Sequence, residues 1–508
     1  MTQQHQFLVA ENGQSTAVEL SDTLKLEMES ENASSLGALS RARKQINKLL
    51  AYIGAEVRGV EWVPAHDRVN KNLWDNLIMW FSFNIAVTTA PVGAFALPVF
   101  NLGLKDALLC IFFFNALACA TVAFLATLGP ATGLRQMMVA RFSFGPTAGA
   151  FVTFLNVLTQ LAFSVIAVLV GAQTLQALWP GLALTWGIVI IALVTMLVCV
   201  FGYNLIHVWE RYIWMSTFVI AVLMYASGSG SYKVTETTVE GQDKVTSILL
   251  FGSIIYGTAA GWGPIASDYN MTLPESTSRV KVFVMTFLGN FLSLFFVESM
   301  GAVLSSAFEA KPDWSDAFEA SWGNLMYVVL QRYGNGFAIF CMLLLALSAV
   351  TINIPTSYST ALSIQALHPF LAAIPRAAWV LISTIVYTVI AIAGQSNFYT
   401  IFQNILSILS YWVAMFFVVL CEEHFLFRKG VYPSEAYNDT RRLPIGIAGW
   451  ITILVSAVAA VLGMSQVWYV GVVSKAAGGG DLGFELVYLF AGFVYPIARY
   501  FELQVYKR

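Results

Sequence analysis

FGSIIYGTAAGWGPIASDYN, residues 251–270, begins as an apolar membrane segment and then stops reading like one. Gly257, Gly261, Gly263 and Pro264 fall within eight residues. Glycine and proline weaken a helix and free backbone N–H and C=O groups. In hydrocarbon those groups need protein or a water-lined cavity as partner. An interrupted helix at membrane depth is therefore a candidate binding site. Trp262 sits inside this break, and Ser267, Asp268 and Tyr269 follow it.

The rest of the chain is the right kind of surrounding. Its 508 residues are 58% hydrophobic and only 11% charged, with mean hydropathy +0.70, where a soluble chain is about a quarter charged. Runs long enough to cross a bilayer recur from residue 74 onward, and they lack the alternation of a β-barrel. A net charge of −2 gives no reason to expect nucleic acid as partner. The five cysteines lie in or beside apolar runs, without metal-ligand spacing, and read as small core residues. No apolar signal-peptide core is expected in the first 45 residues.

The expected architecture is an all-α polytopic membrane protein with twelve transmembrane segments. They lie near 74–100, 104–128, 146–179, 183–203, 207–228, 247–271, 280–308, 334–366, 375–394, 396–421, 444–464 and 483–502. Residues 1–72 read as a largely disordered cytoplasmic tail with a short basic amphipathic helix near 36–54. With that tail inside, 21 Lys and Arg face the cytoplasm and 6 face out. This asymmetry predicts both termini in the cytoplasm.

Segment one, WFSFNIAVTTAPVGAFALPVF, is interrupted at Thr88, Thr89, Pro91 and Gly93. Segment six is the opening stretch. Five segments start at each, so the second copy is inverted relative to the first. Residues 73–228 and 247–428 are the expected halves, and 443–508 add two further segments and a short C-terminus. Paired interruptions in inverted halves point to a secondary transporter with its site between them. The plain alternative is that these are ordinary kinks.

Segment eight crowds Thr351, Asn353, Thr356, Ser357, Tyr358 and Ser359 around Pro355. Asn353 offers both a donor and an acceptor to a ring ligand, and interhelical hydrogen bonding is the alternative. Glu298 is an isolated acid in segment seven, either a reversible proton site or an interfacial residue. Asp268 is expected to pair with Arg279 or Lys281. Asn84, Thr88 and Thr89 in segment one, with Ser348 and Thr351 in segment eight, are candidates to line the site or hold the coupling cation.

Several stretches occur in a telling order: RGVEWVPAHDRVNKNLWDN at 58–76, WFSFN at 80–84, GPATGLRQMMVARFSFG at 129–145, VGAQTL at 170–175, FGYNLIHVWERY at 201–212, GWGPIASDY at 261–269 and YWVAMFFVVLCEEHFLFRKG at 411–430. Over about residues 55–500 the chain resembles the purine–cytosine permease branch of the nucleobase–cation symporter family, in its fungal form. The resemblance implies a 5+5 inverted-repeat, LeuT-like core with substrate near the midplane and a proton as coupling ion. It implies that Trp262 stacks on a flat heterocycle, that Phe163 stands where many members carry Trp, and that Glu210 occupies an acidic position. Glu210 next to Arg211 and His207 is either a gate salt bridge or a proton-linked carboxylate.

The chain departs from the family at three places. Ala167 stands where members that take cytosine or purines often carry Asn. Ile352 and Thr356 replace two Asn of the motif Asn-Asn-Ile-Pro-Asn. A site that reads a nucleobase edge loses selectivity when its polar partners go. Cytosine or a purine therefore stays first as substrate, with vitamin B6 or another heterocycle as the alternative within the family.

Enzyme readings fail for want of a P-loop, an HExxH or a nucleophile beside a base, and no cofactor is expected. Without an ATP-binding motif, transport is expected to draw on a gradient, by alternating access, in the plasma membrane. The expected contacts are Trp262, Phe163, Asn353, Ala167, Thr356, Thr89 and the backbone at Gly261. A channel or non-transporting nutrient receptor is the alternative of another class. The two interrupted helices favour an occluded site over a continuous pore.

Overall fold

The structure, a computed structural model, describes residues 59–508 apart from Lys71, Gly202 and Thr235; for residues 201–211 it describes only the backbone. Expectations for residues 1–58 of the tail, with the helix near 36–54, lie outside the described residues, as do those for the side chains of His207, Glu210 and Arg211.

Each of the twelve expected segments holds helix. Segment one is divided into α1 (Leu73–Asn84) and α2 (Ala90–Ala94). Then come α3 (Leu104–Thr132), α4 (Gln136–Leu178), α5 (Leu184–Phe201), α6 (Tyr203–Ser227) and α7 (Gly241–Ala260), which runs into a 3-10 turn at Gly263–Tyr269. The second half continues with α8 (Arg279–Ser305), two short helices α9 (Pro312–Ala320) and α10 (Trp322–Leu330), α11 (Asn335–Leu367), the short α12 (Pro369–Ala373), α13 (Arg376–Gly394) and α14 (Phe398–Glu422). The chain ends with α15 (Ile447–Gly463), the short α16 (Val472–Ala476) and α17 (Gly483–Tyr506). Among the described residues, seven helical stretches are long and apolar enough to cross a membrane, and three shorter ones are apolar. Together with the apolar side chains on their outer faces, such as Phe113, Leu193 and Val389, they make this a multi-pass membrane protein.

Helix α4 is kinked where the expected segment begins: Gly145, at φ +71 and ψ −178, is not helical, and a further helical stretch from Gln136 precedes it, with Pro146 opening the part that matches residues 146–179. A Cβ at Gly145 would lie 2.6 Å from the Pro444 carbonyl oxygen, so the bend also seats the start of α15. The chain entering α1 is fastened by Arg68. Its guanidinium donates to the carbonyls of Val63 at 2.9 Å, Pro130 at 2.9 Å and Thr132 at 3.1 Å. The last two are orphan acceptors at the C-terminus of α3. At the far end, Glu423 pairs with Arg428 at 2.9 Å and Arg499 at 3.0 Å. Glu502 receives the first N–H groups of α15 from Gly446 and Ile447. These buried charges tie α14, α15 and α17 into one block.

Two packings position the site. α11 lies along α4, and α8 is flanked by α1, α2 and α3. Close approach is bought with glycine. A Cβ at Gly257 would sit 2.0 Å from the Leu406 oxygen on α14, and one at Gly301 would sit 2.0 Å from the Ala90 oxygen. Small residues at such crossings let helix backbones touch.

Candidate functional site

The interruption of segment one is a true gap in helical bonding, spanning residues 85–89. Its freed groups are met by side chains. The Val87 N–H donates to Ser348 Oγ at 3.1 Å, and Thr89 Oγ1 donates toward the carbonyls of Asn84 and Ala86 at 3.2 and 3.0 Å. Ser348 therefore secures α11 to the broken strand of backbone. Among the described residues, Thr88 Oγ1 has no partner.

The interruption of segment six is milder than its glycines suggest. The Gly261 N–H reaches Gly257 O at 3.2 Å, and the Trp262 N–H reaches Ala259 O at 3.3 Å. The helix tightens to 3-10 instead of opening. Gly261 serves a different need, because a Cβ there would lie 2.4 Å from the ring of Phe163. Its lack of a side chain lets that ring lie against the helix.

A small cavity of about 30 Å³ lies between these elements. Thr88 and Thr89 border it from segment one, Thr258 and Trp262 from α7 and its extension, and Phe163, Ile166 and Ala167 from α4. Ile352 and Thr356 close it from α11, and Phe402 and Leu406 from α14.

Trp262 is held on three sides. Its indole N–H donates to Asn84 Oδ1 at 2.9 Å, while Asn84 Nδ2 donates to Trp80 O at 3.0 Å and to Asn290 Oδ1 at 2.9 Å. One ring face stacks on Phe83, with centroids 5.6 Å apart and planes within 14°. Phe163 is nearly parallel too, at 6.4 Å and 11°. Trp80 and Tyr269 pack edge-on against this column. At a centroid separation of 6.4 Å the two rings leave no room for a third between them in this structure, since two contacts of about 3.5 Å need roughly 7 Å face to face.

Neighbouring residues of α11 face opposite ways. Ile352 and Thr356, one helical turn apart, border the cavity. Asn353 is absent from its walls and fully buried. Its Nδ2 donates to Thr195 Oγ1 on α5 at 3.3 Å, and its Oδ1 accepts from Thr356 Oγ1 at 3.1 Å. The amide is spent between helices. Thr258 donates its proton to the Ile254 carbonyl, and Thr356 has its one proton aimed between Asn353 Oδ1 and the Asn353 carbonyl, which leaves lone pairs as acceptors.

Asp268 pairs with neither Arg279 nor Lys281. Its Oδ1 accepts the Gln136 N–H at the start of α4 at 2.8 Å, while Arg279 turns to His424 and to the Gly430 carbonyl. The reason is register: the 3-10 turn carries Asp268 onto the N-terminus of α4, where amide donors are free. Glu298 is fully buried and meets Asn115.

Residues 62–486 match the sequence profile of the family described as permeases for cytosine/purines, uracil, thiamine and allantoin. The chain belongs to this permease family. It is 37% identical over 473 residues to the purine-cytosine permease fcyB of Emericella nidulans, covering 91% of this chain and 92% of that one. It is 34% identical to the purine-cytosine permease FCY21 of Saccharomyces cerevisiae, covering 91% and 89%. It is 28% identical to the vitamin B6 transporter TPN1 of Saccharomyces cerevisiae, covering 91% and 90%. Among solved structures, the nucleobase-cation-symport-1 family transporter Mhp1, closed with bromovinylhydantoin bound, matches at a TM-score of 0.67 and 15% identity, covering 88% of this chain and 96% of Mhp1. At that identity the likeness shows the fold. This permease is thus a membrane transporter, not an enzyme.

Sequence reasoning brought Trp262, Phe163, Ala167, Thr356, Thr88 and Thr89 to one cavity. It missed Thr258, Ile166, Phe402 and Leu406, and it treated Ile352 only as a lost Asn. Thr258 had a signal, since it lies one helical turn before Trp262. Phe402 and Leu406 are also one turn apart, but nothing in an apolar helix marks which face meets a ligand.

Proposed function

We propose that this permease imports a small flat heterocycle, a nucleobase such as cytosine or a purine, by proton symport with alternating access. The reading includes twelve spans with a 5+5 inverted-repeat core, both termini cytoplasmic, and residence in the plasma membrane. The observation that carries it is the near-parallel pair Trp262 and Phe163 at the edge of a cavity beside the gap in segment one. The ring enters between them when they part. The lone pairs of Thr258 and Thr356 accept from ligand N–H groups, and the unpartnered Thr88 hydroxyl supplies both a donor and an acceptor. Among the described residues the walls carry no charge, so they suit a neutral ligand. Asn84 enters this account as the residue that orients Trp262, and Ser348 as the one that supports the break. Glu210 keeps its reading as a gate or proton-linked acid.

A second reading is supported by Ala167 and Ile352, which present hydrocarbon where an amide would read a base edge. Vitamin B6, a pyridine bearing hydroxyl groups, suits threonine hydroxyls with few amide contacts. Uptake decides between them. Cells lacking their own carriers, expressing this chain, are given labelled cytosine, hypoxanthine, pyridoxine and allantoin in competition. Uptake of cytosine or hypoxanthine, abolished by a protonophore and indifferent to sodium removal, is expected. Uptake of pyridoxine alone selects the second reading, and uptake of none of the four refutes the heterocycle reading.

A further inference from the structure

Four carboxylates are buried among the described residues, and three are well provided for. Glu423 has Arg428 and Arg499, Glu502 has Arg499 and the start of α15, and Asp481 receives four hydrogen bonds. Glu298 differs. Among the described residues it forms no ion pair, and its single hydrogen-bond partner is Asn115 on α3, at 2.5 Å. Its Oε1 and the Asn115 Oδ1 are both buried without a partner.

A buried carboxylate anion without a cation is far more costly than the neutral acid. The contact runs from Asn115 Nδ2 to Glu298 Oε2, and the two ends of an amide are interchangeable in assignment. The amide N–H serves the anion, and the amide oxygen, turned round, would accept from a protonated Glu298. Asn115 can therefore partner both protonation states.

The other titratable side chains described on the elements packed against α8 are Asp75 on α1, Lys105, Asp106, Cys110 and Cys119 on α3, and Tyr212 and Tyr225 on α6. Cys119 is one turn from Asn115. Asp106 is bound by Lys244, and Tyr225 donates to the Phe296 carbonyl. On α8 itself, Arg279 and Lys281 lie in the first turn, far along the helix from Glu298.

Position links this acid to the cavity. α2 begins at Ala90, directly after Thr88 and Thr89, and it rests on Glu298. A Cβ at Gly93 would lie 1.7 Å from the Glu298 carbonyl oxygen. That contact is with the backbone of Glu298, so a movement of α2 would alter its packing on α8 at this residue, whose carboxyl lies against Asn115 on α3.

We propose that Glu298, partnered by Asn115, is the group that carries the coupling proton, and that α2 gates its access. This rests on the transport reading above. With α2 lifted, an O–H bond forms at Glu298 with a proton from hydronium on the outer side, leaving water. With the cavity open inward, that bond breaks and the proton passes to water on the inner side. A neutral Glu298 lets α2 settle, so the occluded, loaded state is favoured.

The test uses the full chain purified and reconstituted in vesicles. The wild type is expected to accumulate labelled cytosine, or labelled pyridoxine if it carries that ring instead, when the outside is made acidic. Glu298→Gln is expected to lose the response, with equal uptake plateaus with and without the pH gradient. Glu298→Asp keeps a titratable group and is expected to restore gradient-driven accumulation in part. A Glu298→Gln protein that still responds to the gradient like wild type overturns the proposal. Infrared spectra of the same proteins without ligand give a readout independent of transport. At neutral pH the C=O stretch of protonated carboxyls is expected to be weaker in Glu298→Gln than in wild type by the contribution of one group. Identical spectra overturn the proposal even if no tested ring is carried, whereas a weakened band without uptake condemns only the transport reading.

Discussion

Replacing Trp262 by alanine removes one wall of the proposed ring slot and the partner of the Asn84 amide oxygen. The indole is nearly buried, with Phe83 at 5.6 Å behind it and Phe163 at 6.4 Å across the gap. Base–aromatic stacking is worth about 1–3 kcal/mol, which corresponds to a loss of about 5- to 140-fold in affinity. Asn84→Ala leaves the wall present but unheld. It removes the acceptor at 2.9 Å from the indole nitrogen and the donor to Asn290. Binding should weaken by less than in Trp262→Ala, because the stack on Phe83 still restrains the ring. Both changes act through the same side chain, so their effects should not add. A coupling of about 0.5–3 kcal/mol is expected for groups in direct contact. The assay is equilibrium binding of the labelled transported ring to purified protein, with thermal unfolding as a check that each variant is folded. Affinity within about twofold of wild type in folded Trp262→Ala refutes the stacking argument. Strictly additive losses in the double variant refute the role given to Asn84.

Three further outcomes are expected. Ala167→Asn and Ile352→Asn place amides at the cavity wall and should shift the competition profile among cytosine, hypoxanthine and pyridoxine; an unchanged profile would remove α4 and α11 as the specificity face. Gly301→Ala puts a Cβ 2.0 Å from the Ala90 oxygen, and such overpacking typically costs about 1–3 kcal/mol, so the unfolding midpoint should drop; an unchanged midpoint contradicts the contact between α2 and α8. Asp481 lies in the loop before α17, and burial pushes its carboxyl up to about 6, against the hydrogen bonds from Tyr411, Gly483, Ser465 and Gln466 that favour the anion. Because its folded pKa lies above the ordinary value of about 3.9, its stabilising contribution is complete below about pH 3.9 and is lost as pH rises through about 6. Asp481→Asn should flatten the fall in unfolding midpoint between about pH 4 and pH 7; a slope equal to wild type removes Asp481 as its source.

The sequence made the helices legible because hydropathy alone dictates where a chain can lie in hydrocarbon. It also marked the two interrupted segments, although for different physical reasons than their shared composition suggests. In segment one, Thr88 and Thr89 accompany a real gap, and the freed amide of Val87 finds Ser348. In segment six, Gly257 and Gly261 chiefly make room for Leu406 and Phe163, and the backbone stays bonded. One residue type thus answers two needs, and only tertiary contacts tell them apart.

Segment eight shows the sharper limit. Asn353 drew attention because a polar amide is rare in an apolar helix. That rarity is also why its amide is committed, since an unpaired amide in the core is costly and Thr195 lies within reach. Ile352, next to it, stood out only as a lost Asn and yet borders the cavity. Adjacent positions on a helix differ by about 100° in direction, so which of the two meets the ligand depends on how α11 is rotated against α4. Ser164 and Thr356 meet across that interface at 3.2 Å, as do Asn156 and Ser363 at 2.9 Å. A single-residue error in that register would exchange an amide for hydrocarbon at the wall. The chemistry of the site is therefore set by the packing of two helices along their length, more than by any residue that stands out in the sequence.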